Sequence, residues 1–232
     1  MNKSIIITGA TGGIGSYILS KLSTKTDIKI CSIGRKSALI KADFSLSDYS
    51  HLKELELWIN SQKDVEELIL ILAAATINPI DAIGNFSIEQ VQKNISINLT
   101  AQVAIINTVV ACAIENKHPL KIIQFDSGAA YRPISSWSLY CASKAYISMF
   151  LNVLKSEHAD FHVVLFDPGV VDTNMQRDIR DAHSDVFVEQ KSFQNLKKDN
   201  KLNDPDKVAE FVISRYVKSW DAKNMNEKYI RK

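Results

Sequence analysis

A chain of 232 residues, 46% hydrophobic and 23% charged, has the length and composition of one α/β domain with a sizeable core. A formal charge of +2 leaves no basic footprint for nucleic acid or an anionic membrane. Cys31, Cys112 and Cys141 are odd in number and lack C-x-x-C spacing; they read as reduced, mostly buried thiols and argue against a metal centre. The N-terminal aliphatics stop at Thr8, too soon for a signal peptide, and no run approaches the ~18 apolar residues of a membrane span, so the expected compartment is the cytoplasm.

The stretch Ile5 to Gly15 (IIITGATGGIG) predicts a buried strand, a tight turn and a helix start, and holds half of the eight glycines. Backbone without Cβ atoms at a helix N-terminus can admit an anion such as a dinucleotide pyrophosphate, although an ordinary glycine-rich turn has the same pattern. Ile14, Ile18, Leu19 and Leu22 recur at helical spacing, and Ile28 to Ile33 is the next strand. A helix is expected from about Asp48 to Gln62, started by Ser47 or Asp48. Glu67 to Ala75 (ELILILAAA) follows as a strand covered on both faces. Ser87 with Gln90 can cap a helix whose stripe, Val91, Ile95, Leu99, Val103, Ile106 and Val110, runs to about Glu115. Lys121 to Phe125 is a strand, Trp137 to about Glu157 a helix, and Phe161 to Phe166 a strand.

Residues 172–204 are polar, with a few large apolar side chains, as in an active-site lid or a linker. Asp204 caps a final helix, Asp206 to Val217, with Pro205 at its first position, and Lys228 to Ile230 closes the chain as a short strand. This βα alternation predicts a doubly wound parallel sheet with helices on both faces and a ligand beyond the carboxyl ends of the strands.

Tyr140 and Lys144 stand four apart on one helix face, where an ammonium can lower the pKa of a phenol. Ser127 lies at the carboxyl end of a strand, where its hydroxyl could hold a substrate carbonyl. Singly, such residues are more often a surface pair and a turn serine. Their joint position around one crevice favours the chemical reading.

The glycine turn Thr8 to Gly15 (TGATGGIG), Asn98 within INLTA, Ser127, Tyr140 to Lys144 (YCASK) and Pro168 to Thr173 (PGVVDT) together resemble the short-chain dehydrogenase/reductase family, in its order and approximate spacing over almost the whole chain. The stretches around Ser127 and Pro168 are most similar to its sepiapterin-reductase-like branch and the benzil reductases that form (S)-benzoin. The resemblance implies a single Rossmann domain, an NADPH-dependent carbonyl reductase acting on a small ketone or diketone, and a homodimer pairing through two long central helices. It implies that Tyr140 donates a proton to the carbonyl oxygen, Lys144 lowers its pKa and binds the nicotinamide ribose, Ser127 polarises the carbonyl, and Asn98 holds a relay water. Asn98 could equally be a helix amide bonded to neighbouring backbone.

Gly9, Thr11, Gly12, Gly13, Ile14, Gly15, Ala74, Pro168, Gly169 and Val171 would line the dinucleotide, with Asp43 at the adenine and Thr173 at the nicotinamide carboxamide. Gly34-Arg35-Lys36 has no carboxylate nearby until Asp43, and Arg35 favours a 2′-phosphate, hence NADP(H). Tyr131, Trp137, Met175, Phe187 and Phe193 are the expected substrate wall beside Ser127 and Tyr140. Three features depart from the family pattern: Leu72-Ala73-Ala74-Ala75 replaces Asn-Asn-Ala-Gly, Asp126 precedes the serine, and the final strand lacks a glycine. A pteridine-type reductase and a non-catalytic NADP(H)-binding sensor are the alternatives.

Overall fold

The computed structural model describes residues 2–36, 39–46, 48–183 and 185–229. Seven parallel strands lie in the order β3-β2-β1-β4-β5-β6-β7: β1 (Lys3–Thr8), β2 (Ile28–Gly34), β3 (Ile40–Lys41), β4 (Glu67–Leu72), β5 (Leu120–Phe125), β6 (His162–Asp167) and β7 (Asn226–Lys228). Strand order reverses between β1 and β4, the point at which a sheet of this kind takes a ligand into the crevice beyond its strand ends.

The uninterrupted apolar runs are explained by burial on both faces. Ile5 and Ile7 of β1 face one core, shared with Ile18 and Leu22 of α1 (Gly13–Leu22) and Val208 and Val212 of α8 (Pro205–Val212). Ile6 faces the other, with Leu55 and Ile59 of α2 (Ser50–Ser61), Ile105 and Val109 of α4 (Ala101–Asn116), and Leu151 of α5 (Ser138–Glu157). Full burial of each such side chain contributes about 1.5–3 kcal/mol before chain entropy is subtracted.

Local signals place several helix starts. At α3 (Ile88–Ile95) the Gln90 N–H donates to Ser87 Oγ at 3.3 Å and the Ser87 N–H to Gln90 Oε1 at 2.9 Å. At α8 the Asp206 N–H donates to Asp204 Oδ1 at 2.9 Å, and a π turn carries the helix on to Lys218. Asp48 Oδ1 takes the Ser50 N–H at 2.9 Å, so α2 starts two residues later than predicted; Ser47 lies outside the described residues.

Other boundaries depart from the sequence reading. β4 stops at Leu72, three residues short of Ala75, because β1 leaves the sheet at Gly9 just after Thr8 pairs with Leu72. The two-residue β3 pairs Ile33 with Ile40 and carries no periodic signal. The last strand is Asn226–Lys228, and Ile230 lies outside the described residues. The polar stretch 172–204 is no linker: it forms α6 (Asn174–Asp181) and α7 (Gln190–Lys198), which pack on each other.

The expectation that no run could cross a membrane also needs correction. The continuous helix Ile88–Asn116 is long and apolar enough by length and composition, with a mean hydropathy of 1.8 over its best window. Scattered polar residues such as Asn98 and Gln102 hide this from a count of consecutive apolar residues. Its apolar face packs on the sheet: Ile105, Ile106 and Val109 are fully buried in the core.

Candidate active site

The four early glycines have different tasks. Gly9 has φ +69°, and a Cβ there would lie 2.6 Å from the Ala74 nitrogen, so the turn sits directly on the end of β4. A Cβ at Gly15 would lie 2.5 Å from the Gly9 oxygen, so α1 packs against the turn itself. Gly13 has φ +50°. At Gly12 a Cβ would meet nothing within 4 Å among the described residues, and the backbone is extended. Gly12 offers no side chain to cap α1, and Gly13 to Ser16 hold no carboxylate, so the first N–H groups and the helix dipole face the crevice uncompensated. An anion fits there, as the pyrophosphate of a dinucleotide requires.

The flanking residues point the same way. Exposed Thr11 stands beside the end of β2, its Cγ2 3.8 Å from where a Gly34 Cβ would be, and Ile14 packs into the core. Arg35 lines an open pocket of about 270 Å³ with Lys41, Asp43, Asp48 and His51. The Asp43 carboxyl is held below its ordinary range chiefly by hydrogen bonds from Ser45, with the charges of Arg35 and Lys93 adding to them. Across the crevice, Thr173 caps α6, and its Cγ2 lies 3.7 Å from the position of a Gly13 Cβ. Gly169 has φ +67°, Val171 bridges to Asn203, and the Asn203 side chain donates to the Pro168 oxygen at 2.8 Å.

Asn98 lies in a π-helical turn, Ser96–Thr100, between α3 and α4. Its Oδ1 accepts from the Thr76 N–H at 2.9 Å, while its Nδ2 donates to the Thr76 oxygen at 2.9 Å and to Asn94 Oδ1 at 3.2 Å. The side chain is thus bonded to neighbouring backbone. One turn on, Gln102 Nε2 donates to the Ala74 oxygen at 2.8 Å, and the Ala74 N–H reaches Thr8 Oγ1 at 3.3 Å. Gln102 and Thr8 thus hold Ala74, in a segment that carries no side-chain amide.

Tyr140, Lys144 and Ser148 form one buried stripe of α5, turned to the end of β5. Lys144 Nζ donates to the Phe125 oxygen at 2.5 Å and lies 5.6 Å from the Tyr140 ring centroid. Ser127 opens a 3₁₀ turn, Gly128–Ala130, and its Oγ accepts the Ala129 N–H at 3.2 Å. Burial pushes the Tyr140 phenol upward; a hydrogen bond with Ser127 opposes this, and the charges of Asp126 and Asp167 reinforce it. Burial lowers Lys144 to about 8 against the opposing pull of the same two carboxylates. Desolvation is the dominant influence on the phenol in this arrangement.

Trp137 stacks on Phe187 at 5.3 Å, lies 5.4 Å from Phe193 and meets Tyr140 edge-on at 6.0 Å. Met175 and Ile179 of α6 complete this cover. Tyr131 stands apart from it: the ring is exposed, and its hydroxyl donates to Asp126 Oδ2 at 2.8 Å and reaches Asn226 at 3.2 Å.

The sequence profile of the family described as short chain dehydrogenase matches residues 3–184. The chain belongs to this family. A benzil reductase ((S)-benzoin forming) of Bacillus cereus is 30% identical to this short-chain dehydrogenase over 228 residues, covering 90% of this chain and 91% of the relative. A sepiapterin reductase of Bos taurus is 34% identical over 93 residues, 40% of this chain and 34% of that one. The crystal structure of a short chain dehydrogenases/reductase from Saccharomyces cerevisiae superposes with a TM-score of 0.82 at 22% identity, covering 97% and 95% of the two chains.

Three residues of this short-chain dehydrogenase's site were not legible in advance. Gln102 could have been found from its place four residues after Asn98 on the same helix face. Ser148 repeats the spacing of Tyr140 and Lys144. Asn203 has no sequence signal, since it reaches Pro168 across 35 positions.

Proposed function

We propose that this short-chain dehydrogenase is an NADPH-dependent carbonyl reductase that converts a small apolar ketone or a benzil-like diketone to a hydroxyketone or alcohol. The observation that carries the reading is the meeting of Ser127, Tyr140 and buried Lys144 at the end of β5, on the same sheet edge as the uncapped glycine turn. Gly9 to Gly15 would seat the pyrophosphate, with Thr11 and Ile14 beside it. Arg35 would bind the 2′-phosphate, Asp43 the adenine, and Ala74, Pro168, Gly169, Val171 and Thr173 the nicotinamide side. When bound, the reduced nicotinamide supplies a hydride to the carbonyl carbon.

This chain's own residues do the rest. Ser127 donates a hydrogen bond to the carbonyl oxygen, and Tyr140 delivers the proton that completes the alcohol. The Lys144 ammonium then stabilises the phenolate left on Tyr140, and Asn98 supports proton return. The benzil-reductase likeness and the apolar cover of Trp137, Met175, Phe187 and Phe193 favour an aromatic substrate. In the closed arrangement Phe187 is fully buried and Tyr140 is 8% exposed, so residues 172–204 act as a lid that must lift for entry.

NADPH absorbance followed over a panel of diketones, with a sepiapterin-like compound included, tests the reading. Benzil turnover is expected, with a loss of at least about 100-fold in Tyr140→Phe. Turnover indifferent to that substitution would refute the proton-donor role. Preference for the pterin side chain would move the substrate class, and tight NADPH binding without turnover would make the protein a sensor. A homodimer in the cytoplasm completes the proposal. Its support is the exposed row Tyr146, Met149 and Val153 on α5, with exposed Ile95 on α3 packed beside that helix.

A further inference from the structure

Asp126 is a carboxylate that is only 5% exposed. It sits where β5 leaves the sheet, one residue before Ser127, with its N–H donated to the Phe166 oxygen at 2.8 Å. Two hydroxyls hold its side chain: Tyr131 donates to Oδ2 at 2.8 Å and Ser148 to Oδ1 at 3.2 Å. Ser148 belongs to the stripe that carries Tyr140 and Lys144, so the carboxylate is fastened to the helix face that holds the proton donor. Neutral hydroxyls do not balance a buried charge. The Lys144 ammonium, bonded to the oxygen of Phe125, the residue before Asp126, is the nearby opposite charge.

We propose that Asp126 is a positioning residue for the reaction: a buried, tethered counter-charge beside the helix stripe of Tyr140 and Lys144 that holds both groups in the state from which reduction starts. This rests on the carbonyl-reductase reading. The ionisable groups acting on the pair come from three places: Asp126 just past β5, Asp167 at the end of β6, and Cys141 from α5 itself, which acts on Tyr140. Asp167 is partly neutralised elsewhere, since it accepts the Gly169 N–H at 2.8 Å and faces Lys228 at 3.7 Å. Asp126 stands ahead of Asp167 among the charges that hold Lys144 and Tyr140 up. A phenol that must start each reduction protonated gains from a fixed negative charge nearby.

The test combines the pH profile of NADPH-dependent benzil reduction with an NMR titration of Lys144 at ¹³C-labelled Cε in cofactor-free protein. Lys144 is expected to titrate at about 8 in the wild type. In Asp126→Asn both that titration and the alkaline limb of kcat/KM should move down by about one pH unit. Ser148→Ala, which keeps the charge and loses a tether, should leave the limb in place. A uniform loss of activity in Asp126→Asn, with limb and titration unmoved, would make Asp126 structural and overturn the proposal. If Asp126→Asn does not fold, the ¹³C carboxyl titration of wild-type Asp126 decides: ionised at pH 7 supports the proposal, protonated at pH 7 overturns it. A shifted Lys144 titration without benzil turnover would keep the electrostatic role and refute the substrate reading instead.

Discussion

Gly9 and Gly12 sit three residues apart in one turn, and alanine at the two positions should fail in opposite ways. At Gly9 the backbone has φ +69°, and the added methyl would sit 2.6 Å from the Ala74 nitrogen and 2.7 Å from the Ala73 carbonyl carbon. The left-handed conformation costs about 1–2 kcal/mol, and forcing a methyl into packed backbone costs about 1–3 kcal/mol more. At roughly 2–4 °C per kcal/mol for a chain of this size, Gly9→Ala should lower Tm by about 4–20 °C. At Gly12 the backbone is extended at φ −164° and the methyl meets open space, so Tm should fall by no more than a few degrees. On the proposed seating of the pyrophosphate at this turn, that methyl should instead weaken NADPH binding at least tenfold, a loss of about 1.4 kcal/mol. Differential scanning fluorimetry of the cofactor-free variants and NADPH fluorescence titration read the two effects separately. An unchanged Tm in Gly9→Ala, or an unchanged NADPH Kd in Gly12→Ala, would refute the division of labour between these glycines.

Two more outcomes follow from the site and the surface. Arg35→Ala should cut the ratio of NADP to NAD affinity about tenfold or more through loss of a charge-assisted phosphate contact, with kcat at saturation little changed; a preserved ratio in binding titrations would sink the 2′-phosphate assignment. Met149→Glu places a charge in the middle of the exposed α5 row and should shift sedimentation from dimer to monomer with the Tm of the fold retained. Wild type sedimenting as a monomer would end the dimer proposal.

Much of the fold is written in local pattern. β1, β4, β5 and β6 are apolar runs because both faces are buried, and such runs show without any knowledge of neighbours. Ser87 with Gln90, and Asp204 with Pro205, cap their helices through bonds spanning two or three residues, so the cap is legible in the residues that make it. The Tyr140 and Lys144 pair is of the same kind, since helical spacing alone brings both to one face.

What the neighbours decide is different. Whether Ala73 to Ala75 continue a strand depends on where β1 departs, 64 residues earlier in the chain. Whether residues 172–204 are a linker or two helices depends on Phe187 and Phe193 finding Trp137 to cover. The proton affinity of Tyr140 depends on burial beneath that cover and on carboxylates at the ends of two strands. Composition and spacing determined the sheet, the glycine turn and the shared helix face of Tyr140 and Lys144, because those rest on backbone periodicity and contacts within a few residues. Only the tertiary structure decided the packing of α6 and α7 over Trp137, the Gln102 amide that holds Ala74, and the charge around Tyr140, because desolvation and Coulomb forces act between groups the chain brings together from far apart.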